Sequence, residues 1–364
     1  MKHLEEYRDK RQVRYLIDKI RDKISTSWNI MEICGGQTHS LLKNGLIEIL
    51  PEGIIMIHGP GCPVCVTPAM MIDKAIALAL NTEVILCSFG DMLRVPGNEK
   101  SLLKAKAEGA DVRMVYSPLD ALAIARKNPE KHIVFFAVGF ETTAPANALS
   151  VIQAKKLDLD NFSILSSHVL VPPAMAAILR DEETHVQGFL AAGHVCSVMG
   201  TDEYEPVARE FNVPIVVTGF EPVDMLNGIY QCISMLENGK TGLMNQYSRV
   251  VRSEGNIQAK KIISEVFEVG TREWRGIGEI PQSGLVIRKE YDRFNAEKRF
   301  TINKIPMNED NACMAGLILK GIKKPHQCPY FRNRCTPENP MGAPMVSSEG
   351  ACAAYYHYGY ESAT

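Results

Sequence analysis

Cys34 stands in a sequence context that could support chemistry. An apolar segment, Ile30–Ile33, leads into it, and Gly35, Gly36 and then His39 follow. Two glycines let the backbone bend closely around a ligand. The positive end of the helix predicted to begin near His39 would lower the pKa of the thiol. We predict a thiolate ligand or nucleophile at Cys34, and a buried cysteine beside a turn is the alternative.

Cys62 and Cys65 form a second motif, a Cys-x-x-Cys pair between the predicted strand Ile54–Ile57 and a predicted helix start at Thr67-Pro68. This arrangement is typical of a dithiol that forms and breaks a short-loop disulfide. Half of a zinc site is the alternative, but the sequence contains no second Cys-x-x-Cys. The pattern therefore favours redox chemistry.

Four further cysteines lie in a late segment rich in proline and glycine, separated by 14, 6 and 16 residues. They are Cys313, Cys328, Cys335 and Cys352. Four thiolates in an irregular segment suffice for a zinc ion or an iron–sulfur cubane. Structural zinc usually has tightly paired ligands, so the wide gaps favour iron–sulfur. Four unrelated buried cysteines are the remaining alternative.

The other three cysteines carry weaker signals. Cys87 and Cys232 lie within apolar runs and are interpreted as small buried hydrophobic side chains. Cys196 lies in a richer context, two residues after His194, and its role is left open.

Polar residues at the ends of predicted strands are candidate cleft residues. They are Glu141, Thr142, His194 and Glu221. Ligands bind at the carboxyl ends of strands in open parallel sheets. The alternatives are that the neighbouring glycines only permit a turn and that His194 is a core histidine.

Short apolar runs alternate with helical patterns from Trp28 to about Leu236, which indicates parallel sheets covered on both faces. The predicted fold class is α/β, with two parallel-sheet α/β domains followed by an irregular C-terminal region. An amphipathic helix in residues 1–26 would pack on the rest. The predicted domains span 27–118, 119–238 and 239–364, with the first break near Ser117-Pro118. The predicted strands are Ile30–Ile33, Ile54–Ile57, Val84–Ser88, Val112–Tyr116, Ile133–Val138, Ser163–Ser167, Phe189–Ala192 and Ile215–Thr218.

Composition limits the classes of partner. The chain has 364 residues, 46% of them hydrophobic and 23% charged, and a formal charge of −2. This charge gives no electrostatic reason to expect nucleic acid or an anionic membrane as a partner. No apolar stretch approaches the roughly twenty residues of a membrane span, and no secretory signal is apparent. We expect a cytoplasmic protein whose cysteines serve metal ligation, redox chemistry or burial rather than structural disulfides.

Taken together, the motifs resemble those of the HypD family of hydrogenase-maturation proteins. The matching segments run in family order over nearly the whole chain, and Ala192, at a position where the resemblance implies proline, is one departure. They are 34–39, 59–65, 139–143, 193–195, 219–222 and the four late cysteines. The resemblance implies two similar α/β domains and a third that holds a four-iron, four-sulfur cluster.

The resemblance also implies roles for individual residues. The four late cysteines would ligate the cluster, and Cys62 and Cys65 would exchange electrons with it. Cys34 would hold an iron that receives cyanide and carbon monoxide, sharing it with a cysteine of the small chaperone HypC, and His39 would sit beside it. HypE would donate cyanide, and the large subunit of a NiFe hydrogenase would finally receive the iron. The chain would be an assembly scaffold with a redox centre rather than a conventional turnover enzyme.

Two rival functions remain open at this point. A thiol–disulfide oxidoreductase would use Cys62 and Cys65 but leave Cys34 and the late cysteines without a role. A zinc-stabilised interaction module would leave both early motifs without a role.

Overall fold

A computed structural model describes residues 5–302 and 313–359, and eleven strands lie within these ranges. They are β1 (Trp28–Glu32), β2 (Ile54–His58), β3 (Val84–Ser88), β4 (Val112–Met114), β5 (His132–Gly139), β6 (Phe162–Val169), β7 (Gly188–Ala192), β8 (Pro214–Thr218), β9 (Gly242–Asn245), β10 (Phe267–Trp274) and β11 (Gly278–Ile287). All eight predicted strands are present, as expected for short apolar runs that alternate with helical segments in a buried parallel sheet.

Helices connect most of these strands, and residues 313–359 contain short helices joined by turns. The α-helices are α1 (Lys10–Lys23), α2 (Gly35–Lys43), α3 (Leu46–Ile49), α4 (Pro63–Val66), α5 (Ala69–Ala79), α6 (Leu102–Ala107), α7 (Pro118–Lys127), α8 (Ala144–Lys156), α9 (Val171–Arg180), α10 (Gly193–Met199), α11 (Tyr204–Glu210), α12 (Pro222–Glu237), α13 (Ile257–Val266), α14 (Ala296–Arg299), α15 (Ala315–Leu319) and α16 (Ala351–Tyr358). The 3₁₀ helices are Glu6–Arg8, Gly90–Leu93, Lys289–Phe294, Pro325–Gln327 and Ala343–Met345.

The first sheet has five parallel strands in the order β2-β1-β7-β8-β9. One row of paired residues crosses it through Ile57, Met31, Phe189, Ile215 and Leu243. This row faces one hydrophobic core, and the alternate residues face the core beneath α1 and α12. Burial on both faces explains why the strands are continuously apolar rather than alternating.

The second sheet has six strands in the order β10-β11-β6-β5-β3-β4. Strands β6, β5, β3 and β4 are parallel, and the antiparallel hairpin β10–β11 extends the sheet at β6. The α/β class and the two mainly parallel sheets are therefore confirmed.

The predicted break near Ser117-Pro118 does not separate the two sheets, because β4 and β5 on either side of it both belong to the second sheet. Ser117 instead caps α7: its hydroxyl accepts a hydrogen bond from the Leu119 N–H, and Pro118 occupies the first helical turn. A Ser-Pro pair is as good a helix start as a linker. The first sheet is discontinuous in sequence. Strands β1 and β2 precede the segment 84–169, which supplies β3 to β6 of the second sheet, and β7 to β9 follow that segment.

The region after residue 238 is more regular than predicted. Strand β9 extends the first sheet and the β10–β11 hairpin extends the second. Helix α13 ends at Val266, and β10 begins at the next residue. Only residues 313–359 have the expected irregular character, with short helices joined by turns.

The N-terminal helix α1 packs on α12 through Leu16, Ile17 and Ile20, as its amphipathic pattern predicted. No helix in the described part of the chain is both long and apolar enough to span a bilayer.

Candidate functional site

Cys34 lies at the carboxyl end of the first sheet, just beyond β1, where it is the N-cap residue of α2. Its side chain is almost completely buried, with 2% exposed. The Gly35 N–H donates a 2.9 Å hydrogen bond to the Gly61 carbonyl. A Cβ added at Gly61 would lie 2.3 Å from the backbone nitrogen of Cys34. Only glycine therefore lets the loop before Cys62 approach Cys34 this closely.

A buried hydrogen-bond network supports the backbone of Cys34. The Cys34 N–H donates to Glu32 Oε2 at 3.2 Å, and Glu32 Oε1 also accepts from the Thr38 hydroxyl. His58 Nδ1 lies 2.6 Å from the same oxygen, and His58 Nε2 lies 3.0 Å from the Tyr355 hydroxyl. Burial raises the pKa of Glu32. Sequence reasoning missed this network, although a charged residue inside an apolar strand was a usable signal.

The thiol of Cys34 is not activated in the way that the sequence suggested. Burial raises its pKa well above the usual value, and the negative charge of Glu349 adds to this. The predicted lowering by the helix dipole is therefore wrong for this state, because desolvation outweighs it. If Cys34 loses its proton, a bound cation or a partner would have to supply the positive charge that offsets the cost of burying the thiolate.

The histidine that reaches Cys34 is His194 rather than His39. His194 Nε2 lies 3.8 Å from Cys34 Sγ, and its ring stacks on Phe220 with centroids 4.9 Å apart. Burial lowers the pKa of His194 to about 4. His39 Nδ1 instead lies 3.1 Å from the Ser348 carbonyl. Helical direction explains the difference, because α2 turns His39 toward the C-terminal segment.

Cys62 and Cys65 are joined by a disulfide in the structure. Cys62 caps α4, and its sulfur accepts a 3.2 Å hydrogen bond from the Cys65 N–H. Both side chains are buried in the same hydrophobic core as Cys34. The two cysteines are therefore close together, as predicted, and they lie near Cys34.

The four late cysteines line one small cavity of about 20 Å³. Burial raises the pKa of Cys352, and the negative charges of Cys313, Cys335 and Cys328 raise it further. Within residues 5–302 and 313–359, no three His, Cys, Asp or Glu side chains are arranged to hold a single metal ion.

The three cysteine groups are neighbours through two packing contacts. Helix α4 packs against the 3₁₀ helix Ala343–Met345, whose last two residues line the four-cysteine cavity. Helix α16, which carries Cys352, packs against α2. A Cβ at Gly35 would lie 2.2 Å from the Glu349 carbonyl oxygen, so the C-terminal segment lies directly on the residue after Cys34.

The other candidate cleft residues have separate environments. Glu141 is buried, accepts a 2.8 Å hydrogen bond from the Val171 N–H, and has a pKa that burial raises to about 8. Thr142 is partly exposed. Glu221 forms an ion pair with Arg8 near the surface.

The three remaining cysteines are all buried. Cys87 and Cys232 lie within hydrophobic cores, as predicted. Burial raises the pKa of Cys196 to about 12, and a hydrogen bond with Tyr204 opposes the rise.

The fold and the site together define a thiol-rich α/β protein. Its two sheets bring a buried cysteine, a disulfide-forming pair and a four-cysteine cavity close together. Residues 11–359 match the HypD model, described as the hydrogenase formation hypA family. The hydrogenase maturation factor HypD2 of Bradyrhizobium diazoefficiens is 47% identical over 99% of this chain and 97% of that protein. The hydrogenase maturation factor HypD of Cupriavidus necator is 46% identical over the same shares. That of Escherichia coli K12 is 46% identical over 98% of each chain. The chain belongs to the HypD family of hydrogenase maturation factors.

Proposed function

We propose that the chain is a cytoplasmic scaffold on which an iron is fitted with two cyanide ligands and one carbon monoxide for a NiFe hydrogenase. HypC and HypE are its partners, and the hydrogenase large subunit receives the product. The observation that carries the proposal is the meeting of Cys34 with the Cys62–Cys65 pair and with the segment that holds the four late cysteines. The printed names of the relatives, hydrogenase maturation factors, support it.

Cys34 is the proposed ligand of the iron cargo. Iron that carries cyanide and carbon monoxide suits soft thiolate ligands. A cation bound to Cys34 offsets the desolvation that keeps the thiol protonated. The imidazole of His194, held by stacking on Phe220, is placed to orient that sulfur. Glu32 fixes the Cys34 backbone by accepting a hydrogen bond from its N–H.

The burial of Cys34 has a consequence for partner binding. With 2% of the side chain exposed, a cysteine of HypC reaches the shared iron only after the segment over α2 moves. That segment contacts α2 through Glu349 and through the His39–Ser348 hydrogen bond. We propose that HypC binds at this seam and that HypE delivers cyanide there.

The residues around the four-cysteine cavity fit a four-iron, four-sulfur cluster. In a cubane each thiolate binds a different iron, so the four cysteines must line one common cavity, as these four do. At about 20 Å³ that cavity would have to widen to admit the cluster. Cys313, Cys328, Cys335 and Cys352 would hold the cluster, which would supply one-electron transfer there. Four crowded thiolates repel one another electrostatically, and iron would remove that cost.

Cys62 and Cys65 are the proposed two-electron store. Reduction of their disulfide takes up two electrons and two protons and leaves two thiols. Both residues are at most 3% exposed. A large protein substrate could not reach them without rearrangement, which weakens the rival function of a general thiol–disulfide oxidoreductase.

Infrared spectroscopy of the anaerobic complex with HypC tests the proposal. The parent chain should show cyanide and carbon monoxide bands, and Cys34→Ala should lose them while keeping iron and sulfide in the late-cysteine segment. Cys232→Ala is the matched control, because it removes a buried cysteine from a core away from Cys34 and should keep the bands. Bands at full intensity in Cys34→Ala would overturn the proposal.

A further inference from the structure

The turn of the β10–β11 hairpin lies between the two redox groups. The Arg275 N–H donates a 2.8 Å hydrogen bond to the carbonyl of Val66, the last residue of the helix that carries Cys65. On its other side, a Cβ added at Gly276 would lie 2.5 Å from Cα of Gly316. Gly316 is three residues after Cys313 and belongs to α15. The turn therefore contacts the Cys62–Cys65 helix and the late-cysteine segment at once.

The guanidinium of Arg275 is a charged group with few hydrogen-bond partners. Its Nη2 donates a 2.9 Å hydrogen bond to the Pro96 carbonyl. Its Nη1 is buried and has no hydrogen-bond partner among the described residues. Burial lowers the pKa of Arg275, while the negative charges of Cys313 and Asp73 oppose the change. A buried donor without a partner is costly, so it calls for an explanation.

Asp73 does not neutralise this arginine by direct contact. Its carboxylate accepts hydrogen bonds from the backbone and side chain of Asn98, and no ion pair links it to Arg275 in the described ranges. The guanidinium therefore has one buried N–H without a partner in the described ranges, and it belongs to the turn that contacts α15, the helix that follows Cys313. Positive charges and hydrogen bonds near cluster sulfurs favour the more negative, reduced form of a cluster.

We propose that Arg275 is a positioning residue that ties the Cys62–Cys65 helix to the four-cysteine cavity and whose charge favours the reduced state of the cluster bound there. The inference rests on the proposed function for the presence of that cluster. One electron enters the cluster on reduction, and its charge becomes more negative by one, which is the change that a nearby cation stabilises.

The test is a potentiometric titration of the anaerobic, iron-loaded full-length chain, with dithionite as the electron donor and the reduced cluster followed by electron paramagnetic resonance. At the parent's midpoint potential, Arg275→Gln should lower the ratio of reduced to oxidised cluster about tenfold, equivalent to about 59 mV for one electron. Arg275→Lys should restore most of that ratio, because it keeps the charge. Arg272→Gln is the matched control: Arg272 lies on the same hairpin, also has a buried unpartnered nitrogen, and should leave the ratio unchanged.

The outcomes separate this inference from the proposed function. A parent chain that binds zinc or no cluster would overturn both. A cluster with an unchanged ratio in Arg275→Gln would overturn the inference alone, as would equal losses in the glutamine and lysine variants. If Arg275→Gln does not retain four irons, Arg275→Lys decides: a retained cluster at the parent's potential supports the charge, and any other result contradicts it.

Discussion

Cys34 and His194 are 160 residues apart in the chain, yet Cys34 Sγ lies 3.8 Å from His194 Nε2. They meet because β1 and β7 are parallel neighbours in the first sheet, and each residue follows the carboxyl end of its strand. Phe220 follows the next strand, β8, and stacks on His194. Three adjacent strand ends thus build one side of the site, as expected for an open parallel sheet.

The first prediction compares the two histidines. His194→Gln should lower iron loading at Cys34 by about 10–100-fold, the usual effect of removing a side chain that orients a ligand. His39→Gln should change loading much less, because His39 contacts Ser348 rather than Cys34. Cyanide and carbon monoxide band intensities measure both. A larger loss of band intensity in the His39 variant would assign the orienting role to His39 instead.

The second prediction concerns the thiol pair. In oxidised protein, blocking free thiols before proteolysis should leave Cys62 and Cys65 unmodified in one bridged peptide, with Cys34 labelled after unfolding. Cys62→Ser should remove the bridge and sharply slow hydrogenase maturation. Cys87→Ser should change neither, since that thiol lies in a separate core. Normal maturation by Cys62→Ser would exclude a redox role.

The third prediction concerns the late cysteines. The anaerobic parent chain should bind about four irons and four sulfides. Cys328→Ala should lose most of both, and its C-terminal segment should become more sensitive to proteolysis, because little hydrophobic core holds it. Cys232→Ala should retain the full content. Stoichiometric zinc in protein made with ample iron and without oxygen would contradict the cluster.

The fourth prediction follows from the close approach at Gly61. Gly61→Ala places a methyl group 2.3 Å from backbone atoms of Cys34 and should destabilise the fold by about 1–3 kcal/mol. Gly36→Ala is the control, because its added methyl would lie 3.4 Å from the nearest Phe220 atom. The midpoint of thermal unfolding should fall for the first variant only. Equal midpoints would mean that the loop moves away without cost.

The fifth prediction concerns pH. Burial raises the pKa of Glu141 to about 8, so the folded state holds a proton that the unfolded state releases above about pH 4.3. Stability should therefore fall as pH rises from about 5 to 8, by up to ~1.4 kcal/mol per unit. Glu141→Gln should remove this part of the pH dependence, and the exposed Glu52→Gln should not. Parallel unfolding profiles for the parent and Glu141→Gln would refute the assignment.

Sequence reasoning located the strands and the three cysteine groups because these signals are local. Apolar runs mark β1 to β8, and the two early motifs each follow a strand. It could not give the pairing of β1 with β7, since every buried parallel strand has the same pattern. The positions of His194 and Phe220 depend on that pairing. The Glu32–His58 contact, 26 residues apart, likewise required the register of β1 and β2.

The first sheet cannot be completed until its later strands have been synthesised, because β1 pairs with β7. At ~5–20 residues per second, the ribosome needs on the order of ten seconds to pass from β2 to β7. During that interval β3 to β6 of the second sheet can already pair, whereas β1 and β2 have only each other. Cys34, Cys62 and Cys65 are thus solvent-accessible in the nascent chain long before burial protects them. Oxidants or adventitious metals in the cell would have their best access to these thiols during translation.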